Sequence, residues 1–96
     1  MKYRSRSEIV RSILEAANAQ GAVEGEGGAS RTRLMYKSYL SFNQLKEYLR
    51  MLQENGVIDY EEGKRCYRTT EKGIRLLQLH NKMEEIAPVN YITKNS

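Results

Sequence analysis

Residues 41–70 read SFNQLKEYLRMLQENGVIDYEEGKRCYRTT, a helical pattern followed by the pattern of a β-hairpin. In the first half, apolar residues recur three or four positions apart, which predicts an amphipathic helix over residues 42–55. Ser41 and Gln44 have the spacing of a reciprocal capping box, and Gly56 suits the left-handed conformation that often ends a helix. Both ends of the helix are therefore marked in the sequence. The positions predicted to face the core are Phe42, Leu45, Leu49 and Leu52.

The second half of the stretch predicts a short hairpin over residues 57–69. Residues 57–61 and 65–69 are rich in β-branched and aromatic side chains, and Gly63 lies between them with the freedom to adopt a positive φ. The inward positions predicted for this hairpin are Ile58, Tyr60 and Tyr67.

Two more helices are predicted before this stretch and one after it. The first covers residues 7–19 and follows a serine cap, and a short second helix covers residues 31–37 after Ser30. Between them, residues 20–28 contain four glycines and two acidic residues, which predicts a mobile loop. Thr69 or Thr70 begins a fourth helix over residues 71–87, and Pro88 ends it before a short flexible tail at 88–96.

Composition limits the chain to one small domain, which we place at residues 1–87. The chain has 96 residues with 40% hydrophobic and 29% charged, and no run approaches the roughly 18 apolar residues of a membrane-spanning helix. Because no secretory signal is recognisable at the N-terminus, we expect a cytoplasmic, nucleoid-associated protein without membrane contact. The single cysteine, Cys66, and the single histidine, His80, exclude an internal disulfide and a Cys/His zinc site. No cofactor is expected, and no nucleophile, acid–base pair or phosphate loop indicates an enzyme.

The element order of three helices, a hairpin and a fourth helix defines an α+β class. It matches a winged helix-turn-helix domain, a three-helix bundle with a β-hairpin wing and a C-terminal helix for dimerisation. The stretches 31–37, 40–41, 55–58 and 67–73 resemble the archaeal winged-helix family of predicted transcriptional regulators, which includes the small 10a-type chromatin proteins. This resemblance implies a DNA-binding protein that is commonly dimeric through its last helix. Pro88 ends that helix earlier than in the 10a-type branch, which favours a regulator-like module.

The positive charge is clustered where such a domain would meet double-stranded DNA. The net charge is +4, and residues 31–37 contain three cations and no acid. The third helix of a winged domain enters the major groove, while cations on neighbouring elements contact phosphates. We therefore expect contacts at the third helix from Ser41, Asn43, Gln44, Lys46, Glu47 and Arg50, phosphate contacts from Arg31, Arg33 and Lys37, and wing contacts from Lys64, Arg65 and Arg68.

The predicted fourth helix has a second apolar stripe besides the one that packs on its own domain. Its members are spaced three, four and three residues apart, the pattern of a helix-pairing seam, so we expect a homodimer. The alternative is that the whole helix packs within one domain. The seam residues are Leu76, Leu79, Met83 and Ile86.

Two other functions stay open. One is a protein-docking module, favoured by the acidic residues Glu47 and Glu54 on the third helix, and the other is a weakly selective chromatin-type DNA binder.

Overall fold

The architecture of the chain was determined from a computed structural model that describes residues 5–18 and 28–86. The element order confirms the predicted α+β winged helix arrangement. Most of the predicted loop at 20–28, the end of the predicted fourth helix at Ala87 and the predicted tail at 88–96 lie outside the described residues. The elements are α1 (Arg6–Asn18), α2 (Arg31–Ser38), α3 (Phe42–Glu54), β1 (Ile58–Glu61), β2 (Cys66–Thr69) and α4 (Glu71–Ile86).

The core is aliphatic and is formed where α1 packs against α2, β2 and α4. Leucine and isoleucine side chains from every helix and from β1 meet there almost fully shielded from water, and their burial is the main favourable term for so small a domain. The most deeply buried of these residues are Ile13, Leu14, Leu34, Leu45 and Ile58.

A turn of three residues joins α2 to α3. The hydroxyl of Ser38 donates a 2.6 Å hydrogen bond to the Leu34 carbonyl inside the last turn of α2, and Tyr39 then takes a left-handed conformation with φ of 56°. Ser41 begins α3 with the predicted capping box: its hydroxyl accepts from the Gln44 backbone N–H, and its own N–H donates to Gln44 Oε1 at 3.0 Å. The tight turn and the cap together fix the direction in which α3 leaves α2.

The C-terminus of α3 ends in a Schellman motif. The N–H of Gly56 donates to the Gln53 carbonyl at 3.0 Å, and the N–H of Val57 donates to the Leu52 carbonyl at 3.1 Å. Gly56 has φ of 72°, a conformation that costs a side-chain-bearing residue steric energy. The predicted role of Gly56 is therefore confirmed, and the motif directs the chain into β1.

The hairpin is antiparallel, with Ile58 opposite Thr69 and Tyr60 opposite Tyr67. Ile58 is fully buried, but Tyr60 is exposed, so the prediction that Tyr60 points inward is wrong. Side chains alternate between the two faces of a strand, so Ile58 and Tyr60 point to the same face. Tyr60 lies closer to the tip of the hairpin, where its ring packs on the Tyr67 ring with 4.8 Å between the centroids. The positive φ predicted for Gly63 belongs instead to Arg65, at 50°.

An isolated backbone bridge pairs Ala29 with the returning strand of the hairpin. The N–H of Ala29 donates to the Tyr67 carbonyl at 2.8 Å, and the N–H of Tyr67 donates back to the Ala29 carbonyl at 2.7 Å. Gly28 precedes the bridge with φ of 106°, and a Cβ at that position would lie 2.8 Å from the Tyr67 carbonyl oxygen. The mobile loop at 20–28 stays a prediction, because residues 20–27 lie outside the described residues; pairing with β2 begins directly after it, at Ala29.

The start of α4 is attached to the end of α3. Of the two predicted caps, Thr70 is the one used: its hydroxyl oxygen accepts from the Gly73 N–H at 3.1 Å and its hydroxyl donates to the Gly56 carbonyl at 2.7 Å. The Thr70 N–H also donates to the Val57 carbonyl. The three contacts hold α4 beside the loop that leads from α3 into the hairpin.

Candidate nucleic-acid interface

Helix α3 has one buried and one exposed face. Leu45, Leu49 and Leu52 are buried, as predicted. Because the helix turns about 100° per residue, their burial leaves the opposite side in solvent. The polar and charged residues on that side are Asn43, Gln44, Lys46, Glu47, Arg50 and Gln53, all of them exposed.

Phe42 does not follow the prediction that it faces the core. It is the first residue of α3, and 41% of its surface is exposed. Its helical position is at the margin of the apolar stripe, between Leu49 and the solvent-facing Lys46. Burial at such a margin depends on whether another element covers it, and at this end of α3 Phe42 lines an open groove instead.

This groove lies between α3 and the returning strand of the hairpin, and we call it the α3 groove. Its walls include apolar surface from Phe42, Leu49 and Tyr67. Lys46 and Arg50 also line it, so their cationic groups border apolar surface rather than lying on an evenly hydrated helix face. An apolar wall lowers the local dielectric and strengthens the attraction of these cations for an anion.

Arg31 brings a third cation to the α3 groove from a different helix. Its guanidinium carbon lies 4.7 Å from the centroid of the Phe42 ring, within the range of a cation–π contact. Ser30 caps α2 directly before it, since its hydroxyl oxygen accepts from the Arg33 N–H at 3.2 Å. The cap and the ring contact limit the positions that Arg31 can take, so the cation is held beside α3 before any ligand binds.

The two other predicted cations of α2 do not join this cluster. Arg33 and Lys37 are exposed and line a shallow depression between α2 and α1, together with Ser12 and Glu15. They lie on the side of α2 that faces α1, whereas Arg31 is the residue of α2 that reaches the α3 groove. The structure therefore divides a cluster that is continuous in sequence.

Ser41 and Gln44 lie at the start of α3, but the capping box engages both side chains. Ser41 Oγ accepts the Gln44 N–H at 3.2 Å, and Gln44 Oε1 accepts the Ser41 N–H at 3.0 Å. An amide that recognises adenine needs its oxygen and its nitrogen together. In the capped geometry, Gln44 uses the oxygen to stabilise the helix, whereas Asn43 and Lys46 carry no such constraint.

The cations of the wing differ in whether they have an acidic partner. Glu61 Oε2 lies 3.9 Å from Lys64 Nζ and 4.0 Å from an Arg68 guanidinium nitrogen, so one carboxylate partly neutralises both. Arg65 has no ion pair within residues 5–18 and 28–86, and it lines a second depression with Arg31 and Tyr60. Arg65 is thus the wing cation that adds its charge on the Arg31 side of the site.

Arg50 also has an acidic partner, Glu54, one turn later at 3.5 Å. Both side chains are largely exposed, and an ion pair in that setting contributes at most about 1 kcal/mol. An approaching phosphate can replace Glu54 at little cost, so the pair orients Arg50 without withdrawing it from binding.

Five residues of the α3 groove are not among the predicted contact residues: Phe42, Leu49, Gln53, Glu54 and Tyr67. Tyr67 was expected only to pack inward, and Phe42 only to fill the core. The sequence did contain a signal for Phe42, because it is the first helical residue after the capping serine. No preceding helical turn covers a side chain at that position, so partial exposure is expected there.

The predicted dimerisation stripe of α4 is exposed along its length. Leu76 and Leu79 additionally line an apolar depression with Val10 and Met51, next to the C-terminal part of α3. Exposed leucine and methionine at helical spacing on one face leave a large apolar surface in water. The exposed fractions are 40% for Leu76, 58% for Leu79, 54% for Met83 and 75% for Ile86.

Residues 5–18 and 28–86 contain no group of three histidine, cysteine or acidic side chains placed to hold a metal ion. Over the same residues, no helix combines the length and the apolar character needed to cross a bilayer.

Comparison with known proteins agrees with the architecture. No curated protein matches the chain. The sequence model of the winged helix-turn-helix family matches residues 3–88, a range that includes every described element. With the turn between α2 and α3, the hairpin and the exposed face of α3 in place, the chain belongs to the winged helix-turn-helix family.

Proposed function

We propose that this protein binds double-stranded DNA and regulates transcription, with α3 in the major groove and the wing on the backbone. The observation that carries the proposal is the convergence of Arg31, Lys46 and Arg50 on one groove along the exposed face of α3. Phosphate neutralisation supplies most of the affinity of such an interface, and side chains on the inserted helix supply its selectivity.

The dimensions of the elements support this docking. An α-helix with its side chains is about 10–12 Å across, and the major groove of B-DNA is about 12 Å wide. In this pose, Asn43, Lys46 and Glu47 face base edges near the start of α3, while Arg31 and Arg65 meet phosphates beside it. Arg33 and Lys37 extend the phosphate contacts away from the groove, and Lys64 and Arg68 add contacts at the wing.

We propose further that the active form is a homodimer joined through α4. The stripe of Leu76, Leu79, Met83 and Ile86 is apolar, exposed and straight along one helix face, and a second copy of the same stripe would cover it. A twofold dimer would present two copies of α3 to half-sites about one helical turn apart, as helix-turn-helix dimers do. A protein that binds the chromosome in this way is expected in the nucleoid.

The test is a titration of duplex DNA at several salt concentrations, because the slope of log K against log salt is about −0.9 per neutralised phosphate. Lys46→Glu should weaken binding and reduce the slope by about 1 to 2, since one contact is lost and a repulsion is added. Lys82→Glu is the matched control: it makes the same charge change on an exposed position of α4. No binding at low salt, or equal loss in both variants, would contradict the proposed docking.

A protein-docking function is the second candidate, and the exposed carboxylates of Glu47 and Glu54 on α3 favour it. The two functions separate in a selection from a pool of random duplexes. A shared base pattern among bound duplexes supports a regulator, and binding without a pattern supports a weakly selective chromatin-type protein. Capture of another protein through α3, in the absence of duplex binding, supports the docking module.

A further inference from the structure

The face of α3 that lines the groove begins with an aromatic ring rather than a polar group. Phe42, Lys46 and Arg50 follow one another at intervals of four residues, so they form a single stripe along the helix. All three line the α3 groove. If this face of α3 docks against base edges, the Phe42 ring also lies against base edges. It does so at the N-terminal end of α3, the part of the helix with which helix-turn-helix proteins make most of their base contacts.

The ring is held in position but remains accessible. Arg31 lies 4.7 Å from its centroid, and even with this contact 41% of Phe42 is exposed. A phenyl ring has no hydrogen-bonding group, so facing a base donor or acceptor it would remove water from that group without replacing the bond. At a base edge in the major groove, the ring therefore gains free energy only where the edge presents an apolar group.

One base offers such a group in the major groove. Thymine carries a C5-methyl there, whereas the other three bases present hydrogen-bond donors and acceptors without a methyl. We propose that Phe42 contacts a thymine C5-methyl group and so selects thymine at one position of each bound site. Arg31, stacked on the ring, would place its charge toward the phosphate of the same strand. This inference rests on the proposed function, since it names what one residue of that interface recognises.

The experiment compares thymine with deoxyuridine, which differs by the methyl group alone and keeps the same base pairing. A duplex chosen by the random-pool selection is synthesised with each thymine replaced in turn by deoxyuridine. Because deoxyuridine lacks the methyl group that Phe42 would bury, its substitution should weaken binding roughly fourfold at one position of each half-site and leave binding unchanged at the other positions. The Phe42→Ala variant should bind the duplex with thymine at that position and the duplex with deoxyuridine there with equal affinity.

Two further variants keep the comparison interpretable. Phe42→Leu retains an apolar side chain and should keep part of the preference for thymine, and circular dichroism checks that both Phe42 variants keep their helix content. Tyr36→Ala removes an aromatic side chain that is 76% exposed and does not line the α3 groove, so the full preference should persist.

The outcomes distinguish this inference from the proposed function. Wild-type binding that is equal for thymine and deoxyuridine at every position overturns the inference and leaves DNA binding intact. A methyl preference that survives in Phe42→Ala overturns it too, because another residue then recognises the methyl group. Absence of duplex binding at low salt overturns the proposed function and this inference together.

Discussion

The hydroxyl of Thr69 donates a 2.6 Å hydrogen bond to the backbone carbonyl of Leu14, and thereby joins the last residue of β2 to the middle of α1. Thr69 is only 5% exposed, so water does not compete for this bond. The bond spans 55 residues of sequence and fixes the base of the wing to the core of the helical bundle.

Replacement of Thr69 by valine should show how much this hydrogen bond contributes to the free energy of unfolding. Valine keeps the shape of the side chain but removes the donor, and we expect the free energy of unfolding to fall by about 1 to 2 kcal/mol. Urea denaturation followed by circular dichroism measures the change. Thr69→Ser keeps the hydroxyl and should retain the hydrogen-bond contribution, losing only the packing of one methyl group. Equal stability of Thr69→Val and wild type would contradict the assigned role.

Gly73 should not accept a larger residue, although it lies within α4. A Cβ there would collide with the Val57 carbonyl oxygen and lie 2.6 Å from Thr69 Cγ2. Gly73→Ala gains up to about 1 kcal/mol in helix propensity, but we expect a net loss of about 1 to 2 kcal/mol from the collision. Thermal denaturation should show a lower midpoint. Gly63→Ala is the control, since a Cβ at Gly63 meets nothing within 4 Å and stability should change by less than about 0.5 kcal/mol.

Neutralising Glu61 should strengthen DNA binding. Its carboxylate lies within 4.0 Å of basic groups of both Lys64 and Arg68, so Glu61→Gln removes a negative charge that both cations of the wing share. We expect tighter binding at low salt and a slope of log K against log salt that is steeper by about 1 to 2. Glu62→Gln, the neighbouring exposed carboxylate, makes the same charge change without removing the ion pairs to Lys64 and Arg68 and should have a smaller effect. An equal or larger effect from Glu62→Gln would argue against the assigned ion pairs.

Charges placed in the α4 stripe should separate the proposed dimer. Leu79→Glu with Met83→Glu puts two carboxylates on a surface that the partner would bury, and an unpaired buried charge is strongly unfavourable. Light scattering should give half the wild-type mass, with unchanged helix content, because both side chains are more than half exposed in the single chain. Gln78→Glu adds a charge at an exposed position of α4 outside the stripe and should leave the dimer intact. A wild-type protein that is already monomeric would refute the dimer directly.

The elements of this fold were predictable where local chemistry specifies them. The capping box of Ser41 and Gln44 and the left-handed Gly56 each depend on residues within a single turn, so the bounds of α3 followed from short-range spacing. The exposed face of α3 followed as well, because burial of Leu45 and Leu49 determines which side remains in solvent.

The departures come from contacts between distant parts of the chain. Phe42 and Tyr60 have the correct local periodicity for burial, but each stays partly exposed because no segment among residues 5–18 and 28–86 covers it fully. Ala29 is paired by one bridge, which is too short to leave an alternating pattern in the sequence. The separation of Arg31 from Arg33 and Lys37 follows from helical spacing, because two positions along α2 turn about 200° while Arg33 and Lys37 share a face, but which neighbouring element each face meets depends on packing.

The Ala29 bridge has a consequence for how the protein meets a duplex. Its two hydrogen bonds connect the residue before the α2 cap to the centre of the returning strand, so the segment bearing Arg31 and the segment bearing Arg65 keep a constant separation. If Arg31 and Arg65 meet phosphates as proposed, two contacts at a constant separation would measure the width of the groove. The protein would then discriminate among DNA sequences partly by their shape, favouring those whose backbone already has the required spacing over those that must be deformed to reach it.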